Sequence, residues 1–334
     1  MPKIVTIGGG TGSPIIVQAL LLAGYKNLSC IAASMDSGGK TGIIRSDERD
    51  QVIAVSDLLR TLIALIGSTN HQKNIQAFID LISFTDGRGR NLGYTLYYAL
   101  LEMYQNDFIK VQDHLENLLG IRFDGTAIPV TTDSSNICFE TKNGTVFHGE
   151  HELDKQSMSK NLITDIWPDP DVPATPQAIE VISTADYIIY CPGSLYGSVI
   201  SNLLPIGISD ALMVSSAQKI LVTNLVSNRN QTHHFTPDRY LKVFRKYTHT
   251  EFPFNILICP NLSQNSFEKR YPHIAKSYAL EHAHFLGWTV NELDAVSRKG
   301  IKIESSDIIS ITPHLNRLRH DPQKLARVFK KIIG

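Results

Sequence analysis

An apolar run at residues 3–7 ends abruptly in Gly8-Gly9-Gly10-Thr11-Gly12, and Ser13-Pro14 follow at once. Such a run, stopped by glycines, suits a buried parallel strand. Serine favours a helix N-cap, and proline suits the first helical position, where its missing N–H would be unpaired anyway. Ile15, Ile16, Ala19, Leu20 and Leu22 then give an apolar face, and Gly24 can end the helix. A second strand is expected over residues 28–33, with Asp36 just beyond it. This βαβ unit has a right-handed crossover and builds a parallel sheet.

The rest of the chain repeats the theme. A helix is expected from Ser56 or Asp57 to Gly67 and another over residues 95–104. Strands are expected at residues 186–190, 220–223 and 256–259. A helix should start at about Val199 after the loop of residues 191–198, and an amphipathic helix should close the chain at residues 322–333. Residues 122–151 break the rhythm by alternating, with turn signals at Asp124-Gly125 and Asn143-Gly144, and Asn-Gly between strand-like runs predicts a hairpin. Prolines 168, 170, 173 and 176 then suggest an extended connector. The expectation is an α/β fold: a Rossmann-like, three-layer parallel sheet in one domain over residues 1–334, with a β-rich insertion at about 122–151.

Composition bounds the function. Of 334 residues, 43% are apolar and 19% charged, so a large core is available. Thirty-two basic residues balance 32 acidic ones, and a net charge of zero argues against nucleic acid as a partner. The four cysteines, Cys30, Cys138, Cys191 and Cys259, form no C-x-x-C pair, which predicts neither a disulfide framework nor a zinc site. Met1-Pro2-Lys3 opens no signal-peptide pattern, and no apolar stretch nears the ~18 residues of a membrane span. A soluble, cytoplasmic protein without membrane insertion is expected.

The first turn is the leading candidate site. Glycines let a backbone approach an anion, and the following helix offers free N–H groups and the positive end of its dipole. Gly9, Gly10, Thr11 and Gly12 are the candidate phosphate ligands. The spacing matches neither common fingerprint: Ser13 stands where a dinucleotide motif has its third glycine, and no lysine follows Gly12 as in a P-loop. A tight turn without a ligand is the bland alternative. Asp36, Ser37, Gly38, Gly39 and Lys40 should lie at the carboxyl end of the second strand, where such sheets bind ligands. Asp36 could accept from a ribose or hold Mg²⁺, or cap a turn. Asp57 reads first as a helix-start acid complementing the dipole. Gly193 and Ser194 could donate to a second phosphate or a sugar, and Tyr196 could stack or hydrogen-bond, or the loop could simply connect strand to helix. His233-His234 and His282-x-His284 read as surface or packing histidines, because the neighbours should point apart and the second pair lacks a third ligand.

Together these stretches resemble the 2-phospho-L-lactate transferase (CofD-like) superfamily, and within it the gluconeogenesis-factor (YvcK-like) branch. The resemblance covers residues 3–260. It rests on residues 7–12, on Asp36-Ser37-Gly38-Gly39 with Gly42 and Arg45, and on Pro192-Gly193-Ser194-Leu195-Tyr196-Gly197-Ser198 followed by Asn202-Leu203-Leu204. Asp57 with Arg60, Gly89 with Gly93, and Asn224 with the loop to His234 add to it. The resemblance implies a Rossmann-like fold and a nucleotide site that also includes Arg45, Leu195 and Asn224. One arm of the superfamily moves a phospholactyl group from a guanosine diphosphate donor with Mg²⁺. The other binds a UDP-sugar and is linked to central carbon metabolism, cell-envelope formation and cell shape. This chain departs from the branch at Ser34-Met35-Asp36-Ser37, where a paired Asp-Asp is usual, and at Ser56, where Gly is usual. One acid fewer favours nucleotide-sugar binding over Mg²⁺-dependent transfer, in which Asp36 and Asp57 would be the catalytic acids. The broken glycine pattern disfavours an NAD(P) oxidoreductase. A homodimer is compatible with this reading.

Overall fold

A computed structural model describes residues 1–35, 37, 53–67, 72–155, 159–313 and 315–334. Asp36, Gly38, Gly39, Lys40 and Arg45 lie outside the described residues. The strands are β1 (Ile4–Gly8), β2 (Leu28–Ala32), β3 (Gly125–Pro129), β4 (Asn136–Thr141), β5 (Val146–His148), β6 (Ile163–Asp169), β7 (Tyr187–Tyr190), β8 (Gln218–Val222), β9 (Ile256–Pro260), β10 (Lys302–Ser306), β11 (Ile309–Ile311) and β12 (Leu318–His320). Seven of them form one sheet in the order β10-β9-β8-β7-β1-β2-β3. Every pairing in it is parallel.

The burial of these strands follows from their apolar runs. β1 and β9 are buried at every residue, as strands covered by helices on both faces must be. The chain builds outward from β1 through β2 to β3, then restarts on the other side of β1 with β7, β8, β9 and β10. Neighbouring crossovers therefore diverge between β1 and β7, and that switch point opens a crevice at the carboxyl ends of the strands. The hydrophobic core runs continuously from Ile4 to Phe329. The C-terminal helix Pro322–Ile333 is capped by Asp321 and packs on Gly12–Leu22, the helix after the glycine turn.

The α/β, Rossmann-like expectation holds, with four local corrections. The first helix starts at Gly12 with Thr11 at its N-cap, so Ser13 and Pro14 lie inside its first turn rather than at the cap and first position. Asp124-Gly125 is no hairpin turn: Gly125 opens β3, which pairs parallel to β2 in the main sheet. Gly125 is needed there because a Cβ would strike the Leu28 backbone. The Asn143-Gly144 hairpin does form, between β4 and β5, with Gly144 at φ 80°. Pro168 belongs not to a connector but to β6, the third strand of the inserted sheet, in the order β5-β4-β6. Proline is tolerated because β6 is an edge strand. Finally, the helix expected at Val199 begins earlier, as a π-helical turn over Leu195–Val199 that continues as a 3₁₀ turn over Ile200–Leu203.

Candidate functional site

The crevice is built from the glycine turn. Gly10 takes φ 61°, the left-handed region that glycine adopts without penalty. Its N–H donates to Asp57 Oδ2 at 2.9 Å, while Asp57 Oδ1 accepts from Arg60 at 2.9 Å. Asp57 stands in the first turn of the helix Ser56–Ala64 and is buried. The dipole reading of this acid is thus correct and incomplete, because the carboxylate also clamps the turn from the next crossover. Close packing accounts for two more glycines. A Cβ on Gly9 would overlap Asp57, and one on Gly12 would overlap the Pro192 carbonyl. Thr11 precedes the helix Gly12–Leu22 and makes no side-chain cap, so no side chain of its own occupies that helix start.

The second wall comes from the end of β7. Gly193 lies against the Gly9 carbonyl, so the two loops meet as their place beside the switch point predicts. Asn224, just past β8, fixes Gly193 in both directions: Gly193 N donates to Asn224 Oδ1 at 3.0 Å, and Asn224 Nδ2 donates to Gly193 O at 2.6 Å. Ser194 caps the π-helical turn by accepting from Gly197 N, and donates to Gln231 Oε1 at 3.0 Å. Leu195 and Tyr196 are buried. Tyr196 donates to the Ile163 carbonyl at 3.4 Å, and burial pushes its hydroxyl pKa up to about 12. Both side chains therefore face inward, so Tyr196 offers no stacking surface. Its backbone N–H donates to Gln231 at 3.2 Å. Ser37, beyond β2, lies 3.1 Å from His151 Nδ1 and so ties the second loop to the insertion.

A cavity of about 470 Å³ opens at this junction. Thr11, Gly12, Gly193 and Asn224 line one side, and Arg317, Arg319 and His320 of the β11–β12 hairpin line the other. Arg317 is held by a bidentate pair with Glu281 and lies over Tyr278. Arg319 is exposed and donates to the Leu318 carbonyl at 3.1 Å. His320 is buried, lies 3.0 Å from the Thr223 carbonyl, and has its pKa pushed down to about 4 by burial. The sequence reading missed these three residues, Gln231 and His151. An Arg-x-Arg-His string in an irregular stretch carries no local signal of a site, since only the fold brings it to β1. A larger open groove, about 940 Å³, lies at the opposite sheet edge beside Lys26, Gly67 and Asp124, away from all these loops.

Mg²⁺ fits this donor set poorly. It needs near-octahedral oxygens and keeps much of its water. Among the described residues, the carboxylate at the turn is Asp57, and both its oxygens are engaged by Gly10 and Arg60.

A glycine turn clamped at the switch point of a parallel sheet, facing a cation-bearing hairpin across a crevice, defines a doubly wound α/β protein. The chain belongs to the 2-phospho-L-lactate transferase CofD family, whose profile matches residues 4–309. It is similar to the gluconeogenesis factor of Bacillus subtilis, at 26% identity over 339 residues, covering 99% of this chain and 98% of the relative. The gluconeogenesis factor of Listeria innocua is 30% identical over 262 residues, or 77% of each chain. The crystal structure of a UPF0052 family protein from Bacillus halodurans superposes with a TM-score of 0.82 at 22% identity, covering 98% of this chain and 99% of that one. That likeness shows the fold. Among the described residues no helix is long and apolar enough to cross a membrane.

Proposed function

We propose that this chain binds a nucleotide-sugar of the UDP-linked kind in the crevice between β1 and β7. In this reading it acts as a binding protein tied to central carbon metabolism and cell-envelope formation. The observation that carries the reading is the clamp of Asp57 on Gly10. It presets a left-handed glycine at a helix start, so the turn can receive a diphosphate without paying to order itself. Gly193, fixed by Asn224, would meet the second phosphate, and Arg319 would add charge from the hairpin. The printed name of the Bacillus and Listeria relatives, gluconeogenesis factor, supports the tie to central carbon metabolism. Engagement of both Asp57 oxygens favours binding over metal-assisted transfer, in which that carboxylate would have to turn to an ion.

Calorimetric titration with a UDP-sugar, GDP and NAD, each with Mg²⁺ and with chelator, tests this. The expected outcome is binding of the UDP-sugar with a Mg²⁺ effect below about threefold, well under 1.4 kcal/mol. GDP binding strengthened tenfold or more by Mg²⁺ would replace the reading with a transferase. Absence of binding to all three would remove it.

A further inference from the structure

His233, His234 and His284 come together from segments about 50 residues apart. After β8 the chain runs alongside residues 284–286: Leu286 N donates to Leu225 O at 2.8 Å, Ser227 N donates to His284 O at 2.8 Å, and Val226 and Phe285 form an antiparallel bridge. The chain then turns, with Thr232 N donating to Asn228 O at 2.8 Å, and returns over the bridge at His233. His234 follows at φ 55°. The ring centroids are 4.1 Å apart for His233–His234, 4.6 Å for His233–His284 and 4.9 Å for His234–His284. One ring nitrogen from each lies within 4.8 Å of the other two. The neighbours at 233 and 234 thus do not point apart, and the third ring beside them is His284, without its sequence neighbour His282.

We propose that these three imidazoles bind a borderline transition-metal ion, Zn²⁺ first among them, and leave its fourth position to water or another ligand. Three nitrogens at this spacing suit a tetrahedral ion with one open position. Ser227 Oγ lies 3.0 Å from His284 Nδ1 and 3.4 Å from His233 Nδ1, a hydroxyl partner of the kind that orients metal-ligating rings and sets their tautomers. Cys138, His148 and Asp169 form a second cluster on the inserted sheet, but burial and Asp169 raise the Cys138 thiol pKa and oppose the thiolate a metal needs. The loop carrying His233 and His234 also holds Gln231, which binds Ser194 and Tyr196, so the ion would brace a wall of the crevice. The inference does not rest on the nucleotide reading.

The test is calorimetric titration of the chelator-treated full chain with ZnCl₂, with Co²⁺ absorption as a ligand-field readout and no nucleotide present. One Zn²⁺ per chain is expected. His284→Ala and His234→Ala should each weaken it by about tenfold or more, while His148→Ala leaves it unchanged. His234 is exposed, so its variant keeps the fold and decides the matter even where His284→Ala does not fold. No Zn²⁺ binding, or stoichiometric binding that His234→Ala leaves intact, overturns the inference.

Discussion

Asp57 and Gly10 show why single residues here cannot be read from type alone. An acid at a helix start is common, and its dipole benefit is roughly 0.3–1 kcal/mol. The Gly10 N–H adds a charge-assisted hydrogen bond between two crossovers, and such bonds contribute roughly 1.5–3 kcal/mol. Asp57→Asn keeps an acceptor but loses the charge. It should destabilise the chain by about 1 kcal/mol in urea unfolding and weaken UDP-sugar binding about tenfold. Unchanged values for both would show that the clamp is idle. Gly10→Asn tests the turn more cleanly than valine, because asparagine tolerates φ 61° and a β-branched residue does not. Among the described residues its Cβ meets only Ser198 Oγ, at 3.4 Å, so the fold should survive while calorimetry shows ligand affinity reduced tenfold or more, about 1.4 kcal/mol. Wild-type affinity in Gly10→Asn would mean that no phosphate approaches there. Gly12→Ala cannot serve, since it would collide with the Pro192 carbonyl whatever the ligand does.

Among the elements, the loop after β8 does most to hold the crevice in shape. Its side chain Gln231 is buried and accepts from both Ser194 Oγ and Tyr196 N, linking β8's loop to the π-helical turn after β7. The same loop touches the insertion, where Ile163 N donates to Asn230 O at 3.1 Å. Gln231→Leu removes the acceptor of a buried backbone N–H, which costs about 1–3 kcal/mol. Hydrogen exchange of amides 194–199 should quicken, whereas exchange in β9 should not. Equal protection of amides 194–199 in wild type and variant would mean that the turn is held by packing alone. Nothing in the spacing of Gln231 distinguishes it from the other polar residues around it, so sequence reading passed over it. Asn224, by contrast, was named through the family resemblance of its segment, not through its spacing alone.

At the scale of the molecule, burying neutral histidine couples stability to pH. His320 has its folded pKa pushed down to about 4 from an ordinary 6.5, chiefly by burial. The unfolded chain then binds more protons between those values, so stability is full above about pH 6.5 and is lost as pH falls toward 4. With 1.36 kcal/mol per pH unit, His320 alone removes on the order of 3 kcal/mol across that window. His284 acts in the same direction, more weakly because it is only partly buried. Denaturant unfolding at pH 7.5, 5.5 and 4.5 should show the decline. His320→Gln, which can still donate to the Thr223 carbonyl, should flatten it. An identical slope in the variant would assign the decline to other groups.

The sequence by itself determined β1, β2, β7, β8 and β9, the glycine turn and the edge of the sheet at which a site would lie. These follow from local patterns: an apolar run has to be buried, and a glycine cluster between strand and helix frees backbone N–H groups in one place. It also determined which loops would meet, because every main-sheet strand is parallel and the loops that end β1, β7 and β8 must share an edge. Tertiary structure alone decided the rest. Whether Asp124-Gly125 turned a hairpin or opened β3 depended on a partner strand nearly one hundred residues earlier. Whether Tyr196 faced a ligand or the core depended on Ile163, and whether His233 and His234 stood apart or together depended on His284. In each case the deciding contact spans tens of residues, so the energy that fixes the side chain lies outside any window over which periodicity or spacing can be read.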